Sequence, residues 1–127
     1  MATTAPSVLI LSDDLIFTSR ITGAARDYGA SAQVVRNVDA AISAAQREPP
    51  SCVIVDLALI GGRMVELIGA LASLPSRPRL IAYGSHVDTE SLRSATEAGC
   101  DVVLPRSRFV DVLPRDLPQW LAPRASN

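Results

Sequence analysis

The sequence contains no lysine, because all 12 of its basic residues are arginines. It also has only one histidine, two cysteines and 4% aromatic residues. The formal net charge of -1 leaves no basic surface for nucleic acid, and no helix-turn-helix pattern is present. The cysteines lack the CxxC or Cys/His spacing of a metal site. These shortages argue against a nucleic-acid-binding protein and against a zinc-binding protein.

Long apolar runs are missing too, since none approaches the roughly 18 residues of a membrane-spanning helix. Residues 1–7 lack the basic start and apolar core of a signal peptide. We therefore expect a cytoplasmic protein. With 127 residues, of which 48% are hydrophobic and 20% charged, the chain is predicted to form a single domain. Its core is expected to span 8–121, whereas 1–6 and 123–127 are expected to fray.

Five short apolar segments are predicted to form strands. Each is too short for a helix and is followed by Gly, Ser, Asp or another turn signal, as buried strands of a parallel sheet usually are. Cys52 and Cys100 are expected to open two strands separated by a third, about 10 Å apart, too far for a disulfide. We predict that both are free thiols. The predicted strands are 8–11, 31–35, 52–57, 80–83 and 102–104.

Helical spacing of apolar residues follows each predicted strand. Strands that alternate with single helices form right-handed βαβ units and a parallel sheet covered on both faces. In the last segment, Pro114 and Pro118 each remove a backbone donor and disfavour helix at the residue before. We therefore predict a short, proline-interrupted helix 5, from about Arg108 to Leu113, followed by a turn. Trp120 is expected to pack in the core.

Acidic residues stand at the ends of two predicted strands. Asp13 and Asp14 follow the first strand, and Asp56 ends the third. Chemistry in open α/β sheets gathers beyond the carboxyl ends of the strands. Carboxylates are hard oxygen ligands suited to Mg²⁺, which would relieve their mutual repulsion. The alternative is structural, with Asp13 as a helix cap and Asp14 as a charge favoured by the helix dipole. No such structural role accounts for Asp56.

The five βα units and these three aspartates resemble the response-regulator receiver domain of two-component signalling. The resemblance implies a flavodoxin-like sheet in the order 2-1-3-4-5, with the switch point between strands 1 and 3. It implies that Asp56 accepts a phosphoryl group from a histidine kinase or phosphotransfer protein. It also implies that Asp13, Asp14, Asp56 and the main-chain carbonyl of Ala58 hold Mg²⁺.

The sequence departs from the receiver pattern at the positions that sense the phosphoryl group. The Ser or Thr of the family at the end of strand 4 falls on Gly84, which has no hydroxyl, although Ser85 follows it. The family's Lys after strand 5 is Arg106, and the proline after that Lys is Ser107. The aromatic switch residue of strand 5 is Val103. The acidic half of the expected site is thus retained and the sensing half is altered.

Two functions are compatible with this pattern. The first is an atypical, stand-alone receiver without enzymatic activity, either phosphorylated at Asp56 or acting as a pseudo-receiver. Its output is expected through an unknown protein bound at the face of helix 4, strand 5 and helix 5, with no nucleic acid or membrane involved. The second is a small hydrolase or phosphatase with Asp56 as nucleophile. Such enzymes usually have a second Asp where this chain has Ala58, and usually need a Lys.

Overall fold

A computed structural model of the protein describes residues 5–123. Its strands form one sheet, and every neighbouring pair is parallel. The strands are β1 (Ser7–Leu11), β2 (Ser31–Val35), β3 (Cys52–Asp56), β4 (Arg79–Gly84) and β5 (Val102–Pro105). Their order in the sheet is β2-β1-β3-β4-β5, which confirms the prediction.

A helix follows each strand, as the apolar spacing predicts. The helices are α1 (Leu15–Tyr28), α2 (Val38–Arg47), α3 (Met64–Ala72), α4 (Thr89–Ala98) and α5 (Arg106–Leu121), with a short 3-10 turn at Leu57–Leu59 before α3. Of the segments expected to fray, 1–6 and 123–127, residues 1–4 and 124–127 lie outside the described part of the chain, and the Pro6 carbonyl accepts a hydrogen bond of 3.1 Å from the Ser31 amide. Within residues 5–123, no helix is both long and apolar enough to cross a membrane.

The centre of the sheet is buried on both faces, since all five residues of β3 are buried, whereas four of the five residues of the edge strand β2 are exposed. Alternate residues of a strand point to opposite faces. Ile54 packs into the cluster beneath α1 and α5, whereas Val55 packs into the cluster beneath α2, α3 and α4. Asp56 is therefore directed to the same face as Ile54, towards α1 and α5.

Helix α5 corrects the sequence-based prediction of a short, interrupted helix. It begins at Arg106 and continues for 16 residues through both Pro114 and Pro118. Each proline inside a helix costs about 3 kcal/mol. Full burial of one large apolar side chain contributes about 1.5 to 3 kcal/mol, so the buried face outweighs two prolines. That face consists of Phe109, Val112, Leu113, Leu117, Trp120 and Leu121.

The predictions for the cysteines and for Trp120 are confirmed. Cys52 is buried, Cys100 is half-buried, and both are free thiols. Trp120 is 4% exposed and stacks on Phe109. Because Trp120 is the one tryptophan of the sequence, its fluorescence reports on the packing of α5.

We expect Pro114→Ala to raise the free energy of unfolding by about 1 to 2 kcal/mol. The alanine restores an amide donor to the Val110 carbonyl, and this gain exceeds the roughly 1 kcal/mol lost through a more flexible unfolded chain. Urea unfolding followed by Trp120 fluorescence measures the change. Pro75→Ala is the matched control, because Pro75 lies in an exposed loop, and the same substitution there should lower stability slightly. A lower stability of Pro114→Ala would show that the proline in α5 stabilises the native protein, and would contradict this prediction.

Candidate functional site

The acidic residues named from the sequence meet at the carboxyl edge of the sheet. Strands β1 and β3 are neighbours, with Leu11 beside Val55. Asp13 and Asp14 follow β1 directly, and Asp56 is the last residue of β3. The topology therefore places all three aspartates at the point where the direction of the strand order reverses, where open α/β sheets bind ligands.

Asp56 is an almost completely buried carboxylate, with 2% of its surface exposed. Its Oδ1 accepts a hydrogen bond of 2.9 Å from the Ala58 amide. Burial raises the pKa of the Asp56 carboxyl above its usual value. The Ala58 amide and the Arg106 guanidinium lower this pKa in part, while the charges of Asp13 and Asp14 raise it further. The two neighbouring aspartates are thus close enough to act on Asp56 electrostatically.

Arg106 supplies the cation of the site. Its Nη2 lies 4.0 Å from the Asp56 Oδ1, which is beyond hydrogen-bond distance. Its buried Nε has no hydrogen-bond partner among residues 5–123. As the first residue of α5, the cation is also opposed by the helix dipole, by about 0.3 to 1 kcal/mol. The guanidinium is therefore held near Asp56 with unused donors, an arrangement suited to the oxygens of an anionic group.

The structural roles considered for Asp13 and Asp14 are corrected: Asp14 is the cap of α1, and no acidic residue lies in the first turn of that helix. Asp14, and not Asp13, caps α1, because its Oδ1 accepts hydrogen bonds from the amides of Ile16 and Phe17 at 2.9 and 3.3 Å. Asp13 is exposed. In the described part of the chain, no three His, Cys, Asp or Glu side chains are grouped so that they could hold a metal ion. The predicted Mg²⁺ set thus relies on fewer side chains, together with the Ala58 carbonyl.

The positions expected to sense a phosphoryl group are altered in space as well as in sequence. A Cβ added at Gly84 would lie 3.2 Å from the Leu57 Cδ1, so Leu57 fills the space that a larger residue would need. The Ser85 hydroxyl accepts a hydrogen bond of 3.4 Å from the Val87 amide in the turn before α4. Val103 is half-buried and packs on the α2, α3 and α4 side, opposite to the face of Asp56.

Sequence analysis missed Tyr83 and Ser12. Tyr83 is fully buried in β4 and is the register partner of Asp56. Its hydroxyl donates a hydrogen bond of 2.9 Å to the Ser12 Oγ, which also accepts one of 3.2 Å from the Asp14 amide. The sequence did contain a signal for Tyr83, because it is the one aromatic residue within the predicted strands. A buried tyrosine hydroxyl usually has a hydrogen-bond partner, so a polar residue at a neighbouring strand end could have been sought.

Asp56→Asn is expected to stabilise the protein at neutral pH. The pKa of Asp56 is raised above its ordinary value of 3.8, so the native state binds more protons than the unfolded state between these two values. The favourable contribution of Asp56 is complete below pH 3.8 and is lost as the pH rises through the raised pKa.

The stability gained by Asp56→Asn should therefore be present at pH 7 and shrink towards pH 3.8. Urea unfolding at both pH values measures it. Asp111→Asn is the matched control, because Asp111 is exposed on α5, and it should change stability little at either pH. A gain that is equal at both pH values would exclude the titration of Asp56 as its cause.

Several solved structures share this fold. A response regulator from Hahella chejuensis is 16% identical, with a TM-score of 0.78 over 97% of this chain and 100% of that chain. The receiver domain of NtrX from Brucella abortus is 21% identical, with a TM-score of 0.72 over 90% of this chain and 97% of that one. No family model matches the sequence. No curated protein sequence matches it either.

A second structure of NtrX from Brucella abortus, in complex with ADP, is 21% identical, with a TM-score of 0.74 over 93% of this chain. This chain spans 27% of the length of that one. Several structural neighbours are thus response regulators or their receiver domains. The protein has the flavodoxin-like fold of response-regulator receiver domains, with five parallel strands in the order 2-1-3-4-5.

Proposed function

We propose that the protein is a cytoplasmic receiver domain of a two-component or phosphorelay system, in which Asp56 accepts a phosphoryl group. The observation that carries the proposal is the placement of Asp56. A carboxylate with 2% exposure ends the central strand, at the crevice of the sheet, with a cation 4.0 Å away. A nucleophilic carboxylate needs such a cation, because the incoming phosphoryl group is itself negatively charged.

In the proposed step, a carboxylate oxygen of Asp56 attacks the phosphorus of a phosphohistidine on the donor protein. The new O–P bond forms as the P–N bond to the imidazole breaks, and the imidazole nitrogen keeps the electron pair. The product is an acyl phosphate on Asp56. Because the Ala58 amide binds Oδ1, the other oxygen is the nucleophile. The ionised carboxylate is the reactive form, so labelling should increase as the pH rises through the raised pKa.

Mg²⁺ is part of this proposal. The donors would be one or two of the carboxylates of Asp13, Asp14 and Asp56, together with the main-chain carbonyl of Ala58. These hard oxygen ligands fit Mg²⁺, which keeps several waters and needs only one or two carboxylates. The cap of α1 uses only the Oδ1 of Asp14. When bound, Mg²⁺ would supply positive charge to the transferred phosphoryl oxygens. Arg106 would donate hydrogen bonds to the same phosphoryl oxygens.

Exposed apolar side chains at the same edge of the sheet support a protein as the phosphoryl donor. They lie at the start of α1, at the start of α3 and in the turn after β4, around the crevice of Asp56. Exposed apolar groups near a site favour docking of a protein such as a histidine kinase or a phosphotransfer protein. These residues are Leu15, Ile16, Val65 and Val87, each at least 67% exposed.

Intact-mass spectrometry after incubation with acetyl phosphate and Mg²⁺ tests the proposal. We expect the addition of one phosphoryl group to the native protein, none to Asp56→Asn, and loss of the adduct when EDTA removes the metal ion. Asp27→Asn, a change on the exposed part of α1, should leave labelling intact. A protein that stays unmodified and has no affinity for Mg²⁺ would instead be a pseudo-receiver. Continuous release of phosphate would indicate a hydrolase.

Arg106→Gln should slow labelling by acetyl phosphate about 10- to 150-fold. A hydrogen bond to a charged group contributes about 1.5 to 3 kcal/mol, and 1.36 kcal/mol corresponds to a factor of about 10 in rate. The initial rate of adduct formation measures the change. Arg108→Gln is the matched control, since Arg108 is an exposed arginine of the same helix turn. Equal rates for the two variants would contradict a role of Arg106 in the transfer.

A further inference from the structure

Four of the five aromatic side chains form one continuous stack between the site and the end of α5. The ring of Tyr83 lies 4.8 Å from that of Phe17 and 4.7 Å from that of Phe109. The ring of Phe109 lies 5.9 Å from that of Trp120. Because these rings pack against one another in the core beneath α1 and α5, a displacement of Tyr83 acts directly on the rings of Phe17 and Phe109.

The other end of Tyr83 lies at the candidate phosphoacceptor. Tyr83 belongs to β4 and Ser12 follows β1, so their hydrogen bond passes over β3, the strand that carries Asp56. Strands two positions apart in a sheet are separated by about 10 Å, a span that the long tyrosine side chain bridges. The charges of Asp56, Asp14 and Arg106 all act on the Tyr83 hydroxyl. Through Ser12, this hydroxyl is also connected to the amide of Asp14 before α1.

We propose that Tyr83 and Ser12 sense the phosphoryl group on Asp56 and transmit its presence through the aromatic stack to α5. This inference rests on the proposed function. A phosphoryl group on Asp56 adds negative charge and strong acceptor oxygens beside a phenol that now donates to a neutral serine. The phenol is expected to leave Ser12 for the stronger acceptor. Its ring then shifts against Phe17 and Phe109.

Gly84 and Val103, two of the other positions expected to sense the phosphoryl group, do not offer this connection. Gly84 has no side chain and its space is filled by Leu57, and Val103 packs on the opposite face of the sheet. Tyr83 combines a hydroxyl at the site with a ring in the stack. The route from Asp56 therefore ends beneath α1 and α5. Of the predicted partner face, which consists of α4, β5 and α5, the route contacts only α5.

The fluorescence of Trp120 tests this route, because Trp120 is the one tryptophan and stands at the far end of the stack. We expect acetyl phosphate with Mg²⁺ to change the emission of the native protein and not that of Asp56→Asn. Tyr83→Phe keeps the ring and removes only the hydroxyl, so the emission change should be lost although the phosphoryl adduct still forms. Tyr28→Phe is the matched control, because Tyr28 is exposed on α1, and it should respond as the native protein does.

Mass spectrometry on the same samples separates the two hypotheses. If Tyr83→Phe forms the adduct and still shows the full Trp120 emission change of the native protein, the relay is overturned. If the native protein forms the adduct without any emission change, the relay is also overturned. In both cases the phosphoacceptor role of Asp56 stands. An unmodified native protein would overturn both. Ser12→Ala leaves the stack itself unaltered and should also abolish the response. It provides the same test if Tyr83→Phe fails to fold, which urea unfolding would detect.

Discussion

The near-complete burial of the Asp56 carboxylate is the constraint on which the rest of the site depends. One amide and one guanidinium at 4.0 Å compensate its charge, while two neighbouring aspartates oppose it. An ionised carboxylate with so few partners is costly, which is why the pKa of Asp56 is raised. Arg106 stands near Asp56 at the N-terminus of α5, although the helix dipole disfavours a cation there. Anything that adds positive charge at this edge of the sheet relieves the constraint.

The site combines the acidic residues expected of a receiver with a different set of residues at the end of β4. Asp56 and the two aspartates after β1 stand at the carboxyl edge, as in the expected arrangement. The hydroxyl that a receiver would present at the end of β4 is replaced by Gly84 and the packed side chain of Leu57. A different hydroxyl, that of Tyr83, stands one residue earlier and faces Ser12 across the central strand. The hydroxyl beside Asp56 is therefore that of Tyr83, on the α1 and α5 face of the sheet.

The fold and the candidate site were predictable to different extents. Short apolar segments alternating with helical spacing predicted all five strands and a parallel sheet, whereas the strand order came from the resemblance to receiver domains. The aspartates could be placed because they stand directly at strand ends. Local rules failed at α5, where Pro114 and Pro118 suggested an early end. A helix that buries six apolar side chains tolerates the loss of two backbone hydrogen bonds, and sequence spacing alone does not weigh these terms against each other.

By itself, the sequence determined the parallel sheet, the edge at which Asp13, Asp14 and Asp56 gather, and the absence of a lysine from that edge. These features follow from strand length, apolar spacing and residue identity, which are local properties. Tertiary structure alone decided that Asp14 caps α1, that Arg106 stands 4.0 Å from Asp56, and that Tyr83 reaches Ser12. The contacts of Arg106 and Tyr83 join residues distant in sequence, and the choice between Asp13 and Asp14 as the cap depends on side-chain direction and on the residue at which α1 begins.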